Sequence, residues 1–314
     1  MKKFASVIII FLFFFLSQPV LAQQVSLSIS PPLLEAVIKP GKSVMIAYKV
    51  ENFGDPVYLK AKVVSFEPKD NLGKINLKNE LNGPVRFSLD NADLELEQPF
   101  FLKTGQSQQI LLKIRVPDGA PEGDYYYTLL AETTPLNPQP GIASTQAKAA
   151  IGSNILITVS SSGLVEVKPK VVLFQTSKKI YDSFEKIPLI FIIANKGKNL
   201  IKPEGKITLT GSFGEKMSFD IIPKNILSES ERLVEASPSA SFEDPSAKNP
   251  VSLILPGFFV GWYRLSTAVS FGENSPTVYA STSFFAFPFK LTAIIIILIT
   301  IIIYLIKRYS NNEE

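Results

Sequence analysis

Along most of the chain, apolar and polar residues alternate one by one. In Ser43 to Val50 the set Val44, Ile46, Tyr48 and Val50 alternates with Met45, Ala47 and Lys49, and Leu59, Ala61 and Val63 alternate with Lys60, Lys62 and Val64. The period returns in Ile110, Leu112, Ile114 and Val116, in Tyr125, Tyr127, Leu129 and Ala131, and in Ile155, Ile157 and Val159. Successive side chains of a strand point to opposite faces, so this period predicts strands with one face buried. Turn formers separate the runs: Pro40-Gly41, Asn52 to Pro56, Asn82-Gly83-Pro84, Lys103 to Gly105 and Asp118-Gly119. Away from the two ends no apolar stripe has helical spacing. Short strands at these intervals predict an all-β chain of antiparallel β-sandwiches.

The ends read differently. Lys2 and Lys3 precede an apolar run from Val7 to Leu16, and Val20-Leu21-Ala22 has the character of a cleavage site. As a helix, ten residues rise only ~15 Å against a ~30 Å hydrocarbon core, which favours a signal peptide over residues 1–22 above an uncleaved anchor. Leu291 to Ile306 holds no charge and is flanked by Lys290 and by Lys307-Arg308. Its uninterrupted length argues against a buried strand, and at ~24 Å it predicts a transmembrane helix over 291–306. The basic pair after the span then puts residues 23–289 outside the cell membrane and a short tail, 307–314, in the cytoplasm, with the lipid bilayer as a partner of the helix.

At 314 residues the chain is long enough for about two domains. Lys and Arg total 32 against 28 Asp and Glu, and residues 23–289 are close to neutral, which leaves no basic footprint for nucleic acid. There is no histidine and no cysteine. Thiolate and histidine catalysis, disulfides and Cys/His metal sites are therefore excluded, and no cofactor is expected. Carboxylate pairs such as Asp90/Asp93 and Glu229/Glu231 sit in polar stretches, and Ser183-Phe184-Glu185-Lys186 runs into a strand rather than the helix that Ser-Lys chemistry requires. No enzyme is expected. Ser228 to Pro250, rich in Ser, Pro and Glu, reads as a long exposed loop.

The chain also repeats itself. Val50-Glu51-Asn52-Phe53-Gly54 is echoed by Ile193-Ala194-Asn195-Lys196-Gly197, 143 positions later by Asn. Val116-Pro117 through Gly123-Asp124-Tyr125 is echoed by Leu255-Pro256 through Gly261-Trp262-Tyr263, 138 positions later by the last Gly. Two copies of one sandwich, 23–160 and 163–289, joined near Ser160 to Gly163, account for both echoes. The Asn-x-Gly elements suit turns needing positive φ. The Gly-x-Tyr elements suit tyrosine corners, in which the hydroxyl bonds backbone a few residues upstream.

Two residues are candidates for binding. Alternation puts Tyr126 on the face opposite Tyr125 and Tyr127, where it would stack on a sugar or simply cover the sheet. Trp262, the chain's single tryptophan, would anchor an interface or pack at a domain edge.

Leu27-Ser28-Ile29-Ser30-Pro31-Pro32, Lys39-Pro40-Gly41-Lys42 and Val50-Glu51-Asn52, with Val116-Pro117 to Gly123-Asp124-Tyr125-Tyr126, Leu255-Pro256-Gly257 to Gly261-Trp262-Tyr263 and a C-terminal span, resemble the WxL-interacting proteins of bacterial surfaces. The likeness implies two tandem immunoglobulin-like sandwiches outside the membrane, the first associated with peptidoglycan, a cell-wall glycan, and the second with a surface or host partner. The eight-residue tail, of zero net charge, departs from the family's longer basic one. The reading that follows is a non-catalytic surface protein for cell-wall association or adhesion. Its alternative is a chaperone-like assembly subunit that binds another surface protein by strand addition.

Overall fold

In the computed structural model, residues 24–134, 148–238, 250–272 and 275–310 are described; the expected signal peptide and residues 239–249 of the Ser/Pro/Glu-rich segment lie outside them. The described residues form nineteen strands and one helix.

Four sheets account for the strands. The first has the order β1 (Leu27–Ser30), β3 (Ser43–Asn52), β8 (Ser107–Arg115), β6 (Arg86–Leu89). In the second, β2 (Leu33–Ile38), β10 (Ala150–Val159), β9 (Gly123–Thr133) and β4 (Val57–Pro68) follow one another, and β4 also pairs β5 (Ile75–Leu77) and β7 (Pro99–Leu102). The third joins β11 (Pro169–Thr176) to β13 (Ile187–Asn195), which also pairs β16 (Glu231–Leu233) and β17 (Leu253–Leu255). The fourth has the order β12 (Ile180–Asp182), β19 (Val278–Phe287), β18 (Gly261–Ser270), β14 (Glu204–Gly211), β15 (Lys216–Asp220). In both halves the opening strand changes sheets: β1 and β11 lie in one, and their continuations β2 and β12 in the other.

Chain contacts divide the molecule into two compact units. One takes Met1–Ser65, Asn79–Ala120 and Tyr126–Leu156; the other takes Phe66–Lys78, Pro121–Tyr125 and Ile157–Glu314. In the first, Tyr48, Leu59, Ile110, Leu112, Ile114, Tyr127, Leu129 and Ile155 are fully buried at alternate positions of their strands. In the second, Phe191 and Ile193 of β13 share a core with Ile207, Leu265 and Phe284 of the facing sheet.

The structure departs from the sequence pattern in several places, and strict alternation is lost where β9 and β10 are buried without a break, at 127–131 and 155–159. Val63 is only half-buried while Val64 and Phe66 are buried, because the far end of β4 is covered on both faces. Ser228 to Pro250 is not one exposed loop: β16 pairs with β13, and Leu233, Val234 and Ala236 are buried. A core-facing Leu-Val pair inside a polar stretch is too short to register as a period. The helix, α1 (Phe289–Ser310), is also longer than its uncharged run, taking in Phe289, Lys290, Lys307 and Arg308. Its 22 residues rise ~33 Å, so a span that looked short becomes long enough to cross a membrane, with lysines at its ends able to reach outward.

Candidate functional site

The Asn-x-Gly echo has a physical cause, and positive φ is not it. Asn52 and Asn195 are fully buried. Asn52 Nδ2 donates to the carbonyls of Asp55 at 2.8 Å and Leu102 at 3.2 Å, and its Oδ1 accepts from Gly54 N at 3.0 Å. Asn195 Nδ2 donates to the carbonyls of Asn199 (2.7 Å), Ile226 and Leu227 (3.2 Å each), and its Oδ1 accepts from Gly197 N at 3.0 Å. Each asparagine thus clamps a turn to neighbouring backbone. The glycines sit where another segment passes: a Cβ on Gly54 would lie 2.3 Å from the Gln24 carbonyl oxygen, and one on Gly197 2.6 Å from that of Glu166. Both are requirements of space. Gly123 and Gly261, the other echo, do take positive φ, at 143° and 97°.

The two tyrosines after those glycines differ. Tyr125 makes the expected corner, its hydroxyl donating to the Pro121 carbonyl at 3.0 Å. Tyr263 also meets backbone a few residues upstream, accepting from Val260 N at 3.4 Å, but it donates its own proton to Glu215 Oε1 at 3.1 Å rather than to an upstream carbonyl. Burial raises the Tyr263 phenol above its ordinary pKa, and Glu215, bonded chiefly by its own backbone and then by this hydroxyl, is held below the usual carboxylate range.

Of the candidate binding residues, Tyr126 is half-buried on β9, whose middle is covered on both faces. Trp262 is 62% exposed on β18, directly opposite Phe285, with the rings 5.2 Å apart. Tyr126 belongs to the first unit and Trp262 to the second.

Two further features escaped the sequence reading. The first is the outer edge of the second sheet. β2 is outermost there, and Leu33 and Val37, at 42% and 56% exposure, point outward on either side of Glu35. Pro31-Pro32 directly ahead of an apolar run was the available signal. The other outermost strands are guarded in ways that discourage pairing with another chain. β1, β5, β7, β12, β16 and β17 have three or four residues, β6 is short and carries Arg86, β15 carries Lys216 and Asp220, and β11 opens on Pro169-Lys170 and is interrupted between Val171 and Leu173. β2 has six residues and one charge.

The second feature is Asp182, at the end of β12. Its Oδ2 accepts from Lys290 N at 3.0 Å and its Oδ1 from Phe184 N at 3.2 Å, so it caps the first turn of α1. The Lys290 amide is the main reason its carboxyl lies below the ordinary aspartate range. Nothing local in Tyr181-Asp182-Ser183 announces a partner 108 positions away.

No family model and no curated protein matches the chain. Among solved structures it is similar to the class 5 fimbriae chaperone CfaA, at 13% identity and a TM-score of 0.40, over 82% of this chain and 99% of that one. It is similar also to the YadV chaperone, at 10% identity and a TM-score of 0.35 over 82% and 99% of the two chains. A Porphyromonas gingivalis W83 protein of unknown function gives 15% identity and a TM-score of 0.31 over 83% and 98%. Values this low leave function to be read from the chain's own residues.

Proposed function

We propose that the chain is a non-catalytic, exported, single-pass surface protein of two tandem immunoglobulin-like sandwiches, and that it binds another extracellular polypeptide by strand addition at β2. One observation carries the proposal: β2 alone among the outermost strands combines length, a single charge and outward-facing aliphatic side chains at alternate positions. An added strand gains its affinity from main-chain hydrogen bonds and its specificity from alternate side chains, which Leu33 and Val37 are spaced to meet. The matching partner is an extended apolar segment. The repeated asparagine clamps and sheet-switching opening strands support the tandem arrangement.

The test places a photo-crosslinking amino acid at Val37, and in parallel at Met45, which is 50% exposed on the inner strand β3 of another sheet. On intact cells a discrete adduct with a second extracellular polypeptide is expected at Val37 and not at Met45, and a lysine at Leu33 should abolish it. Equal labelling at both positions, or none at Val37, defeats the proposal. Pelleting of the chain with purified cell wall, unchanged by V37K and lost in Y126A, would return the glycan reading to first place.

A further inference from the structure

Pro288 is the single residue between the end of β19 and the start of α1. The joint is held on several sides. β12 runs parallel to the end of β19, with Asp182 opposite Phe287; Ser183 N donates to the Phe287 carbonyl at 3.2 Å; and Asp182 caps the helix. No slack remains between the folded unit and its helix, so whatever surface surrounds the joint lies where the helix leaves the membrane.

That surface is aromatic. Rings follow one another from Trp262 to Phe285 at 5.2 Å, to Phe287 at 6.5 Å and to Phe289 at 5.2 Å. Beside them Phe184 and Phe258 pack together at 4.8 Å, tied to the joint because Phe259 N donates to the Ser183 carbonyl. Phe184, Phe258, Trp262 and Phe289 are 67%, 54%, 62% and 47% exposed. Farther from the helix the same strand face turns polar: Arg264 lies opposite Ser283, and Ser266 opposite Ser281.

We propose that the second unit does not stand off the bilayer but seats this aromatic collar, Phe184, Phe258, Trp262, Phe285, Phe287 and Phe289, in the headgroup layer of the membrane that α1 crosses. The proposal rests on the reading of α1 as a span. Phe289–Arg308 is 20 residues long, which at 1.5 Å each fills a ~30 Å hydrocarbon core and leaves Phe289 at its boundary. The interfacial layer beyond is ~5–8 Å deep on each side. Chain reach keeps Phe287 within ~7 Å of Phe289, inside that layer, and keeps Phe285, with Trp262 directly opposite it, within ~14 Å, between the layer and the headgroup surface just outside it. Aromatic rings concentrate at that level because an amphipathic ring suits a zone half apolar and half wet. The occupant is lipid, because the collar is continuous with the helix that lipid surrounds.

The single tryptophan makes the test direct. The full chain is reconstituted in phosphatidylcholine vesicles carrying a nitroxide on the headgroup, at acyl carbon 5 or at acyl carbon 16. Trp262 emission should be quenched most by the two shallow labels and should resist aqueous acrylamide. The W262F/F184W variant should behave alike. The W262F/Y279W variant, whose reporter sits at the far end of β19 and replaces a 74% exposed residue, should show severalfold less lipid quenching and open access to acrylamide. Quenching of Trp262 no greater than that of the Y279W reporter, in vesicles that retain the protein through an alkaline carbonate wash, overturns the collar and leaves the span standing. Protein stripped off by that wash overturns both.

Discussion

Replacing Asn195 by alanine removes the side chain that ties the end of β13 to three carbonyls and one amide. An amide nitrogen has two protons, so one of its three acceptors shares a bond, and about three bonds' worth of interaction is lost. A net hydrogen bond contributes ~1 kcal/mol, and each buried group left without a partner costs ~1–3 kcal/mol. With turn backbone able to shift toward water, ~3 kcal/mol is a fair central value for N195A, and slightly less for N52A, which has one acceptor fewer. Against a total of ~5–15 kcal/mol this is a large fraction. Asn195→Asp should cost at least as much, since a carboxylate turns acceptors toward the same carbonyls. The assay is urea unfolding of the chain in mild detergent, followed by tryptophan fluorescence. Trp262 belongs to the second unit, so its transition reports the unit that Asn195 holds. A shift equivalent to less than ~0.5 kcal/mol in N195A and N195D alike would refute the clamp, because it would mean that none of those buried groups needs the amide.

Two other outcomes follow from the same geometry. Gly54→Ala and Gly197→Ala drive a methyl group into backbone oxygens that cannot swing away, and each should destabilise its own unit by ~1–3 kcal/mol, Gly197→Ala in the same tryptophan assay and Gly54→Ala, in the unit without tryptophan, when urea unfolding is followed by far-UV circular dichroism; a neutral result would contradict the close approach. Asp182, with its folded pKa depressed, stabilises the cap above its unfolded pKa and loses that effect as pH falls through the lower, folded value. Hydrogen exchange at the Lys290 amide should therefore keep its protection near neutrality and lose it in acid, and D182A should lose it at every pH; protection that survives D182A would mean the cap is made elsewhere.

The strands were legible because burial of one sheet face imposes period two, and the kinship of the two Asn-x-Gly elements was legible because a buried amide that clamps a turn admits few substitutes. The reason for Gly54 and Gly197 was not legible. A close approach depends on where Gln24 and Glu166 run, and sequence spacing holds no trace of it. The same applies to the acceptor of Tyr263, Glu215, which is 48 positions away in the turn between β14 and β15, whereas Tyr125 finds its acceptor four residues upstream. Trp262 could be singled out as the only tryptophan, but Phe184 and Phe258 join it only once β12 and β18 are set against β19. The edge character of β2 depends on sheet order, which alternation alone does not supply.

The asparagine clamps also bear on how the protein ages. Asparagine deamidates when the backbone nitrogen of the following residue attacks the side-chain carbonyl, a reaction that a bulky following residue, Phe53 or Lys196 here, already slows. Here that nitrogen is engaged in both copies: Phe53 N donates to the Ser26 carbonyl at 2.8 Å, and Lys196 N to the Lys168 carbonyl at 2.9 Å. While folded, each clamp holds its own nucleophile away from itself. Damage is then confined to chains that have opened, and it is one-way, since the aspartate it leaves has no proton to offer the carbonyls that Asn52 or Asn195 bound. The fold protects these two side chains, and a chain that has once lost one of them has lost part of what would let it fold back.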